Sequence, residues 1–102
     1  MKKDETSEKT FEREMSRYVE ARGGMAIKLL SQFCKGLPDR MFLIPHGKVL
    51  FVEFKSTGKK PSAIQRWVHK KLAELGFIVY VVDDPESYSC VIMIIDYYTK
   101  TK

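Results

Sequence analysis

Two β-rich runs, Met41 to Ile44 and Val49 to Lys55, flank the break Pro45-His46-Gly47-Lys48. Such a pattern predicts a β-hairpin, and the hairpin fixes which side chains can meet. In its second run Leu50, Val52 and Phe54 share one face, leaving Phe51, Glu53 and Lys55 on the other. Two charges therefore stand on one side of one strand. Asp39, just before the first run, reaches that side only in some registers. A two-residue loop at His46-Gly47 sets Asp39 opposite Phe54, on the wrong face, whereas a three-residue loop sets it opposite Glu53 or Lys55, on theirs. Convergence requires an odd loop or a bulge, and Gly47 can supply the positive φ that either needs.

Around the hairpin the pattern alternates between helix and strand. Thr6 and Ser7 offer caps, and Phe11, Met15, Tyr18 and Val19 recur at helical spacing before Gly23-Gly24, predicting a helix over about 7–22. Glu12 falls at the edge of that apolar stripe beside Val19, with Glu8 near it in the first turn and Glu14 and Glu20 pointing elsewhere. Residues 25–30 are a candidate short strand, and 31–38 show little periodicity. Pro61-Ser62, with Gln65 three positions on, has the form of a capping box. It opens a helix whose expected buried stripe is Ile64, Trp67, Val68, Leu72 and Leu75, with Gln65 at the stripe's edge and Gly76 as the stop. Phe77 to Val82 and Cys90 to Ile95 are continuous enough to be buried strands, parted by a turn at Asp83-Asp84-Pro85. The predicted order is α-β-β-β-α-β-β, an α/β (α+β) class. The tail Thr99 to Lys102 is expected to fray.

The chain has 102 residues, enough for one domain and too few for two. With 44% apolar and 30% charged residues it can build a small core and is not a disordered tail. Its longest uncharged run, Ser87 to Ile95, falls well short of the about 20 residues a membrane helix needs, so no membrane span is expected. The first ten residues have no apolar segment behind their lysines and do not read as a secretion signal, which points to the cytoplasm. Cys34 and Cys90 lack further ligands at metal spacing and read as reduced, incidental thiols. A net charge of +5 makes a polyanion the leading partner class.

The informative block is G-L-P-D-R at 36–40, E-F-K at 53–55 and K-K-P-S-x-x-Q at 59–65. Asp39 and Glu53 are hard oxygen donors of the kind that hold Mg²⁺ or Mn²⁺, and a neighbouring lysine, Lys55, can orient a water and stabilise negative charge. The set suits phosphodiester hydrolysis. Taken singly, each residue has a plainer reading: E-x-K as an exposed ion pair, Pro-Asp as turn chemistry, Gln65 as half of a capping box and Glu12 as a solvated acid. His46 reads as a turn-tip residue and His69 as a surface helix residue. From Glu53 to Lys71 there are six Lys or Arg residues and one acid, Glu53 itself. A basic surface beside two carboxylates is what phosphate-backbone binding needs.

Order and spacing together resemble a known family. P-D followed by E-x-K is the signature of the PD-(D/E)xK nucleases, and G-L-P-D-R with E-F-K and a following S-x-x-Q resembles the VRR-NUC branch, small phage and bacterial proteins among it. The likeness spans nearly the whole chain, 1–102, as a single domain, and the helix opening F-E-R-E is also similar to that of archaeal Holliday-junction resolvases. The resemblance implies a restriction-endonuclease-like core with a mixed central sheet flanked by helices. It implies that Asp39 and Glu53 bind Mg²⁺ or Mn²⁺ with the carbonyl of Phe54, that Lys55 positions the attacking water, that Gln65 assists there, and that Glu12 completes the acidic cluster. Arg40, Lys59, Lys60, Ser62 and Arg66 are the expected DNA contacts. The resulting expectation is a structure-selective DNA endonuclease of a bacterial cell or phage-infected host, cutting branched DNA such as Holliday junctions. Because a four-way junction is two-fold symmetric and the chain has one D…E-x-K site, a homodimer is expected, with Trp67, Tyr97, Tyr98 and the run Val91 to Ile95 as interface candidates. The alternatives are a non-catalytic nucleic-acid-binding module of the same fold and a nuclease acting on flaps, RNA or free nucleotides.

Overall fold

The computed structural model describes residues 7–30 and 34–100. Helix α1 (Ser7–Ala21) buries Met15 and Val19, with Phe11 and Tyr18 packed against the core as the helical spacing predicts. Strands β1 (Met25–Lys28), β2 (Arg40–Ile44) and β3 (Lys48–Phe54) follow, then helix α2 (Ala63–Glu74), strand β4 (Val79–Val82) and helix α3 (Pro85–Lys100). The expected cap Thr6 and residues 31–33 of the aperiodic stretch lie outside the described residues.

The strands form one four-stranded sheet in the order β1-β2-β3-β4. The pairs β1–β2 and β2–β3 are antiparallel and β3–β4 is parallel, so the sheet is mixed, with α2 as the crossover that parallel pairing demands. The core is one cluster: Met15 and Val19 of α1, Phe42 and Ile44 of β2, Leu50, Val52 and Phe54 of β3, Val82 of β4, and Val91 and Ile95 of α3. Alternation along β3 thus sends Leu50, Val52 and Phe54 inward, the face read from the sequence.

Two expectations are corrected. Cys90 to Ile95 is not a strand but the middle of α3. A continuous apolar run does not separate strand from helix, but Val91 and Ile95 are buried at i and i+4 while Tyr88, Ile92 and Tyr98 pack beside them, a helical stripe. The start signal was also present, for Asp84 Oδ1 accepts the Ser87 N–H at 2.8 Å, with Pro85 as the first helical residue. What reads as a turn is a helix cap. The second correction concerns α2, where only Val68 of the expected stripe is buried. Ile64, Trp67 and Leu75 are exposed, because the four-residue β4 offers α2 too little surface to cover a full apolar face.

Candidate active site

The hairpin register decides whether the acidic groups meet. Ile44 pairs with Lys48 and Arg40 with Val52, leaving a three-residue loop, Pro45-His46-Gly47. Both His46 (φ 75°) and Gly47 (φ 78°) are left-handed there. One step beyond Arg40, Asp39 comes level with Glu53, and its Oδ2 accepts the Phe54 N–H at 2.8 Å. The odd loop, one of the two solutions the sequence leaves open, is the one the chain adopts.

Gly36 sets the other end of the G-L-P-D-R segment. At φ 90°, a Cβ there would fall 2.7 Å from the Ile64 carbonyl oxygen and 2.9 Å from Val68 Cγ2. The bare backbone lets this loop lie against α2 and carries Pro38, which is buried, and Asp39, which is half-buried, onto the sheet.

Glu53 is 1% exposed. Its Oε2 accepts the Gln65 side-chain amide at 2.6 Å and lies 3.3 Å from Lys55 Nζ, while its buried Oε1 has no hydrogen-bond partner among the described residues. Burial, and then the charge of Asp39, push the Glu53 carboxyl up to about 7, against the pull of Lys55 and Gln65. Asp39 is raised as well, by burial first and by the charges of Glu12 and Glu8, with the Phe54 N–H opposing. The two carboxyls share one region and neither ionises freely.

Gln65 serves two structures at once. Its Oε1 accepts the Ser62 N–H at 2.9 Å and Ser62 Oγ accepts the Gln65 N–H at 3.2 Å, so the expected capping box is complete, while its amide nitrogen reaches Glu53. The capping-box reading holds, and the same side chain is in contact with Glu53. Glu12 is engaged differently: its Oε2 accepts from Lys28 Nζ at 2.9 Å and Arg40 Nε at 2.8 Å. Burial raises its carboxyl, but the bonds and charges of these two cations outweigh burial and leave it below the ordinary value. Lys28 and Arg40 are cross-strand partners, and Glu12 is the anion that lets two cations face each other. Glu8 Oε1 accepts from Ser56 Oγ at 3.3 Å.

Two clefts gather cations from the neighbours of these groups, Arg40 next to Asp39 and Lys55 two positions from Glu53. One, of about 450 Å³ between α1 and the β1–β2 edge, presents Lys9, Arg13, Arg17, Lys28 and Arg40 together with Glu12 and Glu20. The other, of about 260 Å³, joins Lys55 and Ser56 to Lys59, Lys60 and Glu8. Ser62 is the α2 cap, and Arg66 donates to the Pro61 carbonyl at 2.7 Å. Charge counting along the sequence finds the second cleft and misses the first, whose cations come from three separate elements.

His69 departs from its expectation as a surface residue. Its Nε2 is buried and finds no hydrogen-bond partner among the described residues, and burial, aided by the charge of Lys55, holds the imidazole below its ordinary value. It lies one turn beyond Gln65 on α2. A lone histidine on a lysine-rich helix carries no sequence signal for this position.

Among the described residues no group of three or more His, Cys, Asp or Glu side chains is placed to hold a metal ion by itself. Two carboxylates and a backbone carbonyl are nonetheless a donor set for a hard divalent ion that keeps waters and substrate oxygens. The unpartnered Glu53 Oε1 is the observation that fits such an ion.

A mixed sheet flanked by helices, with Asp39 just before β2 and E-x-K closing the adjacent β3, has the architecture of a nuclease of the restriction-endonuclease-like class. The structure matches a solved VRR-NUC domain with a TM-score of 0.79 and 29% identity over 87% of this chain and 97% of that one. The sequence is 38% identical over 79 residues to a protein of Acyrthosiphon pisum secondary endosymbiont phage 1 named "Putative nuclease p44", covering 78% of this chain and 85% of the relative. No family model matches the chain. The chain belongs to the VRR-NUC family of nucleases.

Proposed function

We propose that this nuclease is a divalent-metal-dependent endodeoxyribonuclease that cuts branched DNA, with 1–102 acting as one catalytic domain. The observation that carries the reading is the Glu53 carboxylate: Oε2 is held by Gln65 and Lys55, and Oε1 is buried with no partner among the described residues. Leaving a carboxylate oxygen buried and unpartnered costs about 1–3 kcal/mol, a cost that a bound cation removes. Asp39, Glu53 and the Phe54 carbonyl would hold Mg²⁺ or Mn²⁺. When bound, such an ion supplies charge neutralisation at the phosphate and a more acidic water.

The chain's own residues perform the rest. The Phe54 N–H fixes the Asp39 carboxylate against the sheet, and Gln65 fixes Glu53. Lys55, on the same strand face as Glu53, directs its ammonium into the same space, where it orients a nucleophilic water and offsets charge growing on the phosphate. The cleft of Lys55, Lys59 and Lys60 and the cleft of Lys28 and Arg40 give the DNA backbone two cationic surfaces. Glu12, bound to Lys28 and Arg40, completes the acidic cluster by setting these cations rather than as a free acid.

Two copies acting on opposed strands would resolve a junction, and the α3–β4 face suits their pairing. Met93 and Tyr97 are both 68% exposed there, over a groove with Tyr80, Ile94 and Tyr98. Val91 and Ile95, candidates in the sequence, belong to the core instead. No helix among the described residues is long and apolar enough to cross a membrane. The phage relative favours action in the cytoplasm of a bacterial cell or infected host.

The test is incubation with labelled four-way junction, flap and plain duplex DNA in Mg²⁺, Mn²⁺ or chelator, beside sedimentation equilibrium at micromolar protein. The reading expects metal-dependent nicking, fastest on the junction, by a species of twice the chain mass. Cleavage that survives the chelator rejects the metal role, and a monomer that prefers flaps rejects the paired cut.

A further inference from the structure

The exposed apolar face of α2 needs a partner. Trp67, the one tryptophan of the chain, is 57% exposed and Ile64 is 50% exposed. With Ala63 they line a shallow recess of about 520 Å³ on the outer side of the helix. An indole left in water forgoes the burial that makes it useful to a core, so a contiguous patch of this kind marks a binding surface.

The rim of the patch identifies the occupant. Lys71 Nζ lies 5.4 Å from the Trp67 ring centroid, Arg66 and Lys70 flank it on the same helix, and Lys59 and Lys60 precede it. Glu74, 3.6 Å from Lys71, is the one acid between Lys59 and Leu75. A second copy of this chain docking here about a two-fold axis would bring this cationic rim against itself. The partner that suits the patch is anionic yet presents flat apolar faces. Unpaired nucleobases on a phosphate backbone have both properties, and paired bases in a duplex hide their faces in the stack.

One helix thickness separates the patch from the carboxylates. Gln65, which donates to Glu53, precedes Trp67 by two residues. Two residues advance about 3 Å and turn the chain to the other side of the helix, so the indole lies across α2 from the Gln65–Glu53 contact, one helix diameter, about 10–12 Å, away. A strand with its phosphate at Glu53 reaches the indole within a few nucleotides by passing the Lys59–Ser62 approach to α2.

We propose that Trp67, with Ile64 beside it, is a stacking platform for unpaired bases next to the cleavage point, and that it gives this nuclease its preference for branched or flapped DNA over plain duplex. The inference rests on the nuclease reading above and extends it to the feature of the substrate that is recognised.

Because Trp67 is the only tryptophan, its fluorescence reports the contact directly. The full chain in chelator is titrated with oligo-dT, a flapped duplex and a blunt duplex of equal length. The proposal expects strong quenching by oligo-dT and flap and little by blunt duplex. Trp67→Ala should bind the flap about 5-fold or more weakly with duplex affinity unchanged, and Trp67→Phe should retain most of the flap affinity. Equal flap affinity in Trp67→Ala, or tight binding of all three DNAs without quenching, overturns the platform and leaves the nuclease reading standing. A lower sedimentation mass for Trp67→Ala with unchanged DNA binding also overturns it and assigns the patch to a second copy. Failure to bind any of the DNAs rejects the nuclease reading and the platform together.

Discussion

Gln65 and Glu53 are joined by a 2.6 Å hydrogen bond between a helix cap and a buried strand carboxylate. The other end of the same amide closes the α2 capping box on Ser62. The helix start and the carboxylate's orientation therefore share one side chain, and substitution can separate its two roles.

Gln65→Glu keeps an acceptor for the Ser62 N–H but replaces the donor to Glu53 with a like charge. Cleavage should fall by about 10²-fold while the helix cap is kept, a loss in line with removing one oriented donor from a catalytic site. Gln65→Ala loses the cap as well and should cost about 1 kcal/mol of stability besides the activity. Urea melts alongside cleavage assays resolve the two effects, and equal activity of Gln65→Glu and wild type would remove Gln65 from the site.

Asp39→Asn retains an oxygen for the Phe54 N–H while removing the charge. It should abolish cleavage and bind DNA as well as wild type or more tightly, because a negative group facing phosphate is gone. Cutting at the wild-type rate by this variant would exclude Asp39 as a ligand.

In metal-free protein Glu53 sets a pH dependence of stability. Its carboxyl rises from 4.5 to about 7 on folding, so in that window the native chain holds a proton that the unfolded chain has released. Stability therefore falls as pH rises from about 4.5 to 7 and stays lower above it. Glu53→Gln, neutral at every pH, should be more stable than wild type at pH 8 by up to about 3 kcal/mol and nearly equal to it at pH 4. Denaturant melts in chelator from pH 4 to 8 measure this, and a Glu53→Gln deficit at pH 8 would contradict it.

Lys59→Ala combined with Lys60→Ala should flatten the dependence of log K for DNA on log salt by up to about two units, since each lost phosphate contact removes about 0.9. An unchanged slope, measured by anisotropy across salt concentrations, would place the backbone on another face.

Gly36→Ala meets both a left-handed φ and a contact of 2.7 Å with the Ile64 carbonyl oxygen. It should destabilise the chain by about 2 kcal/mol or more and weaken cleavage even where the fold persists, because the loop that carries Asp39 shifts away from α2. Full activity and an unchanged melt would mean that the loop relaxes freely.

Local pattern fixed the pieces of this protein and most of its site. Period-2 alternation named the face of β3 that carries Glu53 and Lys55, helical spacing gave α1 and its buried Met15 and Val19, and S-x-x-Q marked the start of α2, because each depends on neighbours within a turn or a strand. The sequence also narrowed the meeting of Asp39 and Glu53 to an odd loop or a bulge. Tertiary structure chose between them, since hairpin register depends on which of Pro45, His46 and Gly47 enter the turn. It also settled α3, whose cap at Asp84 and Pro85 is local but whose continuous apolar run does not by itself separate helix from strand. It left Trp67 in solvent, because whether an apolar stripe is covered depends on what another element offers. The pairing of Glu12 with Lys28 and Arg40, and the unpartnered nitrogen of His69, belong to the same class. Each joins elements distant along the chain, and the interactions that set them, charge on charge and burial against water, exist only once the sheet has brought those elements together.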